Sequence, residues 1–206
     1  MGGGRNKVPD GWIGCPQNGN YLIAGKFMAL KTPLCDRFEN NLVPGDTYPP
    51  NEIFVRAKRN KVRIGLWIDL TNTDRYYKKE SIEYEGCKYV KLGCPGHGDC
   101  PSIEATNSFI HIVDKFVKEQ PSDCIAVHCT HGFNRTGFLI VSFLVEKLNI
   151  DVDEAVKLFA DARPPGIYRG NYISELFKRY GVASEAPSAP KLPPWCGDRH
   201  LRRRRR

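Results

Sequence analysis

The sequence predicts a single α/β domain, and three observations support this prediction. Short apolar runs at 62–70, 87–94 and 124–127 are typical of strands, and the last has the composition of a strand buried on both faces. Apolar residues recur at helical spacing over 103–119, between two of these runs. A chain of 206 residues, 41% of them hydrophobic, fits one such core with a small extension.

The N-terminal third predicts one strand region and one helix. Residues 21–34 (YLIAGKFMALKTPL) predict a strand or a hairpin that bends at Gly25. After a polar loop rich in proline and glycine, Pro49 and Pro50 can begin a helix that runs to about Asn60.

The middle and C-terminal parts alternate strands with helices. The run at 62–70 (VRIGLWIDL) is predicted as a central strand, and the alternating run at 87–94 as a strand near an edge. Ser102 can cap a helix over 103–119. A strand is predicted at 124–127, followed by a helix that includes Phe138 to Val141. A capping box of Asp151 and Glu154 predicts a further helix that runs through Asp161. The last predicted helix covers 172–180 and is stopped by Gly181.

The chain is predicted to divide into a folded domain, 1–182, and a tail, 183–206. The tail is rich in proline and poor in apolar residues, so we expect it to be flexible, with Trp195 docking back on the domain. Its last five residues, Arg202–Arg206, supply five of the eight net positive charges, and 8 − 5 leaves +3 for the rest. Such a run favours nuclear import or RNA affinity.

No membrane span, secretion signal, metal site or cofactor is expected. The sequence has no run of about 18 apolar residues and no apolar stretch in its first residues. Eight cysteines in a chain of this length indicate a reduced, intracellular protein rather than a disulfide scaffold. Cys87, Cys94, His97 and Cys100 lie close together in sequence, but their spacing matches no paired C-x-x-C zinc motif.

The main functional signal is the segment HCTHGFNRTG, 128–137, which joins a predicted strand to a predicted helix. Backbone N–H groups at such a junction point into one concavity, and the helix dipole adds positive potential. Both effects lower the pKa of Cys129, and both favour a bound phosphate. The segment therefore predicts a thiolate nucleophile in a phosphate-binding loop.

Other residues of this loop suit the same chemistry. Arg135 can offer a planar fork to two phosphate oxygens. Thr136 can donate its hydroxyl to the Cys129 sulfur, and His128 can add to the hydrogen bonds around the thiolate. The residues predicted to bind phosphate are Thr130, His131, Gly132, Phe133, Asn134, Arg135 and Thr136.

Two carboxylates are candidates for the acid that protonates the leaving group. Asp69 ends the strand at 62–70 and, with Arg75 on the next loop, is expected to face the same sheet edge as Cys129. A turn cap is an equally good interpretation of Asp69. Asp99 lies on the loop GHGDCPS before the helix at 103–119, and the sequence does not decide between the two.

Further basic residues have open interpretations. Arg163 and Arg169 bracket the turn ARPPGIYRGNY and are placed to line the site. The cluster RAKRNKVR at 56–63 fits either favourable charges at a helix C-terminus or contact with RNA phosphates.

The spacing H-C-x-x-G-x-x-R-[ST]-G is that of the cysteine-dependent phosphatases. Together with IDLTNTDRYY, GHGDCP and ARPPGIYRGNYISELFKRYG, it resembles the RNA 5′-triphosphatase domain of the metazoan messenger-RNA capping enzymes, over essentially residues 5–196. The resemblance implies the cysteine-phosphatase fold, a central, mostly parallel sheet flanked by helices. It also implies metal-independent removal of the γ-phosphate through a phosphocysteine, with Cys129 as nucleophile, Arg135 as phosphate clamp and Asp69 near the site.

The same resemblance implies partners and a location. The substrate is the 5′-triphosphate end of RNA, the product goes to a guanylyltransferase in cis or in trans, and the transcription machinery is a further partner in the nucleus. No membrane is involved. The sequence contains no K-x-D-G motif, so we expect no guanylyl transfer from this chain.

Three other functions remain open. A stand-alone RNA 5′-phosphatase of the dual-specificity type would remove both the γ- and β-phosphates. A protein tyrosine or dual-specificity phosphatase would use the same loop on a phosphoprotein. A catalytically silent adaptor would only bind phosphate or RNA, and the intact pair of Cys129 and Arg135 argues against it.

Overall fold

The computed structural model describes residues 6–43, 45–96 and 98–196, and a parallel sheet lies at its centre. The strands are β1 (Phe27–Leu30), β2 (Ile64–Asp69), β3 (Lys88–Lys91) and β4 (Cys124–His128). Their order across the sheet is β1-β4-β2-β3, and each neighbouring pair is parallel. The predicted parallel α/β fold is confirmed, with β2 in the interior of the sheet and β3 at an edge.

Helices cover both faces of the sheet. They are α1 (Pro50–Arg59), α2 (Glu80–Glu83), α3 (Ile103–Glu119), α4 (Asn134–Leu148), α5 (Val152–Ala162) and α6 (Gly170–Tyr180), with 3-10 turns at Asp36–Asn41, Ala183–Glu185 and Pro194–Cys196. The short α2 was not predicted. Ser102 caps α3 as expected, because its hydroxyl accepts from Ala105 N at 3.1 Å. Asp151 precedes α5, but its side chain makes no capping hydrogen bond, so the predicted capping box is wrong.

Alternate residues of the strands supply two hydrophobic cores. Ile125 and Val127 of β4 pack with α3, α4, α5 and α6, whereas Ala126 faces the core beneath α1 and α2. Trp67 of β2 lies in that second core, with its ring 5.6 Å from Phe54. Because the sheet is covered on both faces, its interior strands β2 and β4 are continuous apolar runs rather than alternating ones.

The carboxyl ends of the two interior strands meet at one edge. Asp69, the last residue of β2, pairs in register with His128, the last residue of β4. The loops that follow these strands therefore begin side by side, at the edge where parallel α/β sheets bind ligands. Among the described residues, no helix is long and apolar enough to cross a bilayer.

Packing continues beyond the predicted domain boundary at residue 182. Ala186 and Ala189 lie against the larger core, and the Trp195 ring lies 5.6 Å from that of Phe133. The Trp195 ring therefore docks on the domain, and the segment packs against it as far as Cys196. Arg202–Arg206 and His97 lie outside the described residues.

Candidate active site

The loop between β4 and α4 carries Cys129 to the carboxyl edge of the sheet. The Cys129 side chain is buried, and Gly132 N donates to its sulfur at 3.3 Å. Gly132 has φ +72, and a Cβ there would lie 1.9 Å from the carbonyl oxygen of Leu30. Only glycine fits this position, because the loop turns with a left-handed residue pressed against the end of β1.

Carbonyl groups of the loop are bound to the scaffold behind it. Thr130 O accepts from Thr32 N at 3.1 Å. His131 O accepts from the Arg163 guanidinium at 3.0 Å, and Gly132 O accepts from it at 3.4 Å. With these carbonyls tied back, loop N–H groups are left to face the opposite way, toward an anion in the cavity.

Arg135 is fixed above the same loop by three hydrogen bonds. Its Nη1 donates to the carbonyl oxygens of Leu70, at 3.1 Å, and Cys94, at 3.0 Å, which lie on the loops after β2 and β3. Its Nη2 donates to Thr130 Oγ1 at 3.2 Å. The guanidinium is therefore oriented before any ligand arrives, with further N–H groups available to phosphate oxygens.

The environment of Cys129 favours a thiolate. Burial raises its pKa, but the Arg135 charge, the Thr136 hydroxyl and N–H, and the Gly132 N–H lower the pKa to about 7. The Thr136 hydroxyl is buried and has no other partner in the described part of the chain, so it is available to the sulfur. By contrast, burial raises the pKa of Cys15 to about 12. Cys129 is thus set apart as the reactive thiol.

We therefore expect alkylation of Cys129 by iodoacetamide to rise with pH through a midpoint near 7, because only the thiolate reacts. Peptide mass spectrometry at each pH measures the rate at each cysteine. Cys87 is the internal control, since burial raises its pKa to about 12 and it should stay unmodified at neutral pH. A midpoint for Cys129 above 8.5 would contradict this assignment.

An open cavity lies in front of the loop, and Asp99 lines it. Its walls include Thr71, Asn72, Tyr76, Asp99, Tyr168 and Arg169, together with Cys129 and Arg135. Asp99 is exposed there, and Tyr172 fixes its backbone by donating to Asp99 O at 2.6 Å. Asp99 can therefore reach a leaving group at the mouth of the cavity.

Asp69 lies at the predicted edge of the sheet but does not line this cavity. Its carboxylate is buried and accepts hydrogen bonds from Thr71, from Tyr89 at 2.9 Å and from Lys91 at 3.0 Å. Burial raises the pKa of Asp69. The charge of His128 when its ring is protonated at low pH, the Thr71 hydrogen bonds and the Lys91 charge outweigh burial, and the net pKa is lowered. An ionised carboxylate enclosed in this way holds the loop at Thr71 in position and has no proton to donate.

His128 lies beneath Cys129 rather than beside its sulfur. Its Nδ1 contacts the carbonyl oxygen of Cys129 at 3.2 Å, which requires Nδ1 to carry the proton. Nε2 is then the acceptor for the Tyr77 hydroxyl at 2.5 Å, and Trp67 donates to that hydroxyl at 2.9 Å. Burial lowers the pKa of His128, in keeping with a neutral ring.

The other predicted basic residues have separate positions. Arg75 donates to Lys7 O at 2.7 Å and to the Tyr76 hydroxyl, so it is bound to the N-terminal segment and is not among the residues that line the cavity. Arg169 lines the cavity as predicted. Arg163 lies behind the loop, with its side chain almost fully buried. Lys91 carries no functional signal in the sequence, because its link to Asp69 depends on the register of β2 and β3.

The chain matches a known family model over most of its length. The model described as "Dual specificity phosphatase, catalytic domain" covers residues 50–180. Among solved structures, that of Tk-PTP in the active form has a TM-score of 0.60 at 18% identity, covering 80% of this chain and 95% of that one. This second likeness concerns the fold alone.

Curated relatives are similar over nearly the whole chain. The mRNA-capping enzyme of Mus musculus is 49% identical over 93% of this chain, and that of Caenorhabditis elegans is 42% identical over 93%. The match covers 32% and 31% of those proteins, so the chain spans about a third of their length. The RNA/RNP complex-1-interacting phosphatase homolog of Caenorhabditis elegans is 35% identical, over 86% of this chain and 80% of that protein.

Proposed function

Because this chain belongs to the dual-specificity phosphatase family, we propose that it is an RNA 5′-triphosphatase that removes the γ-phosphate from nascent pre-mRNA. The observation that carries the choice of RNA is the 49% identity to a capping enzyme over 93% of the chain. The preorganised loop around Cys129 and Arg135 supports the chemistry, since it offers a nucleophile and fixed donors around one phosphate.

In the proposed first step, the Cys129 thiolate attacks the γ-phosphorus, and the bond from that phosphorus to the β–γ bridging oxygen breaks. A phosphocysteine forms and the RNA departs with a 5′-diphosphate end. The loop N–H groups and Arg135 stabilise the charge on the equatorial oxygens. In the second step, water attacks the phosphocysteine, orthophosphate leaves and the thiolate is regenerated, with Thr136 donating to the sulfur.

The leaving group in this reaction is a phosphate anion, which needs less protonation than a serine or tyrosine oxygen. This fits a site where Asp99 is exposed in the cavity, the Asp10 carboxylate is paired with Lys7, and Asp69 is ionised and enclosed. We propose Asp99 as the residue that protonates poorer leaving groups and Asp69 as a positioning residue. No metal ion takes part in the proposed steps.

The diphosphate end would pass to a guanylyltransferase, either in a longer protein that contains this chain or in a separate one. The reaction would take place in the nucleus, close to the transcription machinery that makes the RNA. These statements rest on the similarity to capping enzymes.

The deciding experiment uses 5′-triphosphate RNA radiolabelled at either the γ- or the β-phosphate, with EDTA present. We expect release of the γ-label alone. Release of the β-label as well would favour the stand-alone RNA phosphatase. Cleavage of phosphotyrosine peptide without release of either label would favour the protein phosphatase that the family match also allows.

Substitutions of the two aspartates should separate their roles. Asp69→Ala leaves Lys91 without its buried partner and is expected to lower stability by about 3 kcal/mol, a fall in Tm of roughly 6–12 °C. It should also lower turnover of triphosphate RNA more than Asp99→Ala does. Asp99→Ala should leave Tm within about 2 °C, because its carboxylate is exposed.

Thermal unfolding and kcat measure these effects. A greater loss of turnover from Asp99→Ala would make Asp99 a required acid even for a phosphate leaving group. An unchanged Tm for Asp69→Ala would contradict its positioning role.

A further inference from the structure

We propose that Arg169 binds the β-phosphate of the substrate and sets the preference of the site for polyphosphate ends over simple phosphate esters. This inference deepens the proposed function and rests on it for the identity of the RNA substrate. It identifies a second phosphate subsite next to the loop that holds Cys129.

The first reason is that Arg169 is a cation of the cavity whose guanidinium the described residues do not bind. Its half-buried side chain lines the cavity with Cys129 and Arg135. Within 6–43, 45–96 and 98–196, its guanidinium has neither an ion pair nor a hydrogen bond. The other cations near the site are committed: Arg135 to carbonyl oxygens, Arg163 to the back of the loop, and Lys91 to Asp69.

The second reason is that the backbone of Arg169 is fixed relative to the catalytic loop. Asn134, the first residue of α4, accepts hydrogen bonds through Oδ1 from Tyr168 N at 3.0 Å and from Arg169 N at 3.1 Å. Arg169 is also the residue from which α6 starts. The Asn134 side chain thus holds the backbone of Arg169 next to the loop that would bind the γ-phosphate.

The third reason is the charge that the substrate brings. When the γ-phosphate occupies the loop, the β-phosphate lies outward from it in the same cavity, whose wall includes Arg169. Breaking the bond to the γ-phosphorus places negative charge on an oxygen of the β-phosphate. A guanidinium there would bind the ground state and stabilise this developing charge. It would also compensate for a leaving-group acid that is exposed rather than enclosed.

The test compares substrates with and without a second phosphate. In Arg169→Ala, kcat/KM for 5′-triphosphate RNA should fall about 10- to 100-fold, the range for a lost charge-assisted hydrogen bond. The loss on p-nitrophenyl phosphate should be smaller by at least about tenfold. Arg169→Lys should recover part of the loss. Arg37→Ala is the control, because Arg37 is exposed on the 3-10 turn at Asp36–Asn41 and is not among the residues that line the cavity.

A competition measurement keeps the proposal testable if RNA is not the substrate. Inorganic triphosphate should inhibit p-nitrophenyl phosphate hydrolysis more strongly than orthophosphate does, and Arg169→Ala should remove about tenfold of that advantage. Equal losses on both substrates, or an unchanged inhibitor ratio, would overturn the β-phosphate subsite. A wild-type protein that releases no phosphate from RNA but shows the inhibitor ratio would overturn the proposed function alone.

Discussion

Replacing Cys129 by serine is expected to abolish phosphate release from triphosphate RNA, with a loss of about 10⁴-fold or more. A serine hydroxyl has a far higher pKa than a thiol, and the charge of Arg135 and the loop N–H groups cannot ionise it at neutral pH. The loop and Arg135 stay in place, so RNA binding should persist within about threefold. Single-turnover release of γ-label and a binding titration with the same RNA measure the two effects.

Cys124→Ser is the matched control for this variant. Cys124 and Cys129 are both 5% exposed, and Cys124 begins β4, whereas Cys129 follows its end. The two substitutions therefore remove a similar amount of buried sulfur from opposite edges of the sheet. Cys124→Ser should lower stability but keep turnover, and residual multiple-turnover activity in Cys129→Ser would refute a thiolate nucleophile.

Much of the fold could be predicted because its strands and helices carry strong local patterns. The run VRIGLWIDL contains β2, Ser102 caps α3, and Pro50 begins α1. The loop around Cys129 could also be predicted, because the spacing of its cysteine, glycine and arginine is specific to phosphate-binding loops of this kind. Each of these patterns involves residues that are close together in the chain, so the sequence alone is enough to detect it.

Apart from the capping box at Asp151, the errors concern contacts between distant segments. Asp69 ends a strand at the right edge, but its carboxylate faces the interior because Lys91 and Tyr89 of β3 and Thr71 surround it. That arrangement follows from the pairing of β2 with β3, which the sequence does not state. In the sequence, Arg163 and Arg169 are equivalent candidates for lining the site, because they lie six residues apart at the two ends of one turn. Tertiary packing buries the first against Phe133, at 4.3 Å from its ring, and leaves the second in the cavity.

Replacement of Arg135 should show that the shape of its side chain matters as well as its charge. Arg135→Ala is expected to lower kcat/KM on triphosphate RNA by about 10²- to 10³-fold, as loss of a preorganised transition-state donor does. Arg135→Lys should lose nearly as much, because a single ammonium cannot hold the carbonyl oxygens of Leu70 and Cys94 and also face two phosphate oxygens.

The pH dependence of Cys129 alkylation separates the two contributions. The Arg135 charge lowers the pKa of this thiol, so Arg135→Ala should move the midpoint above 7, whereas Arg135→Lys should keep it closer to the wild-type value. Arg37→Lys, on the exposed 3-10 turn at Asp36–Asn41, controls for an arginine-to-lysine change outside the cavity. A lysine variant with a normal midpoint and little turnover would mean that the thiolate forms but the phosphate is not held for attack. Turnover within tenfold of wild type would mean that positive charge alone is sufficient.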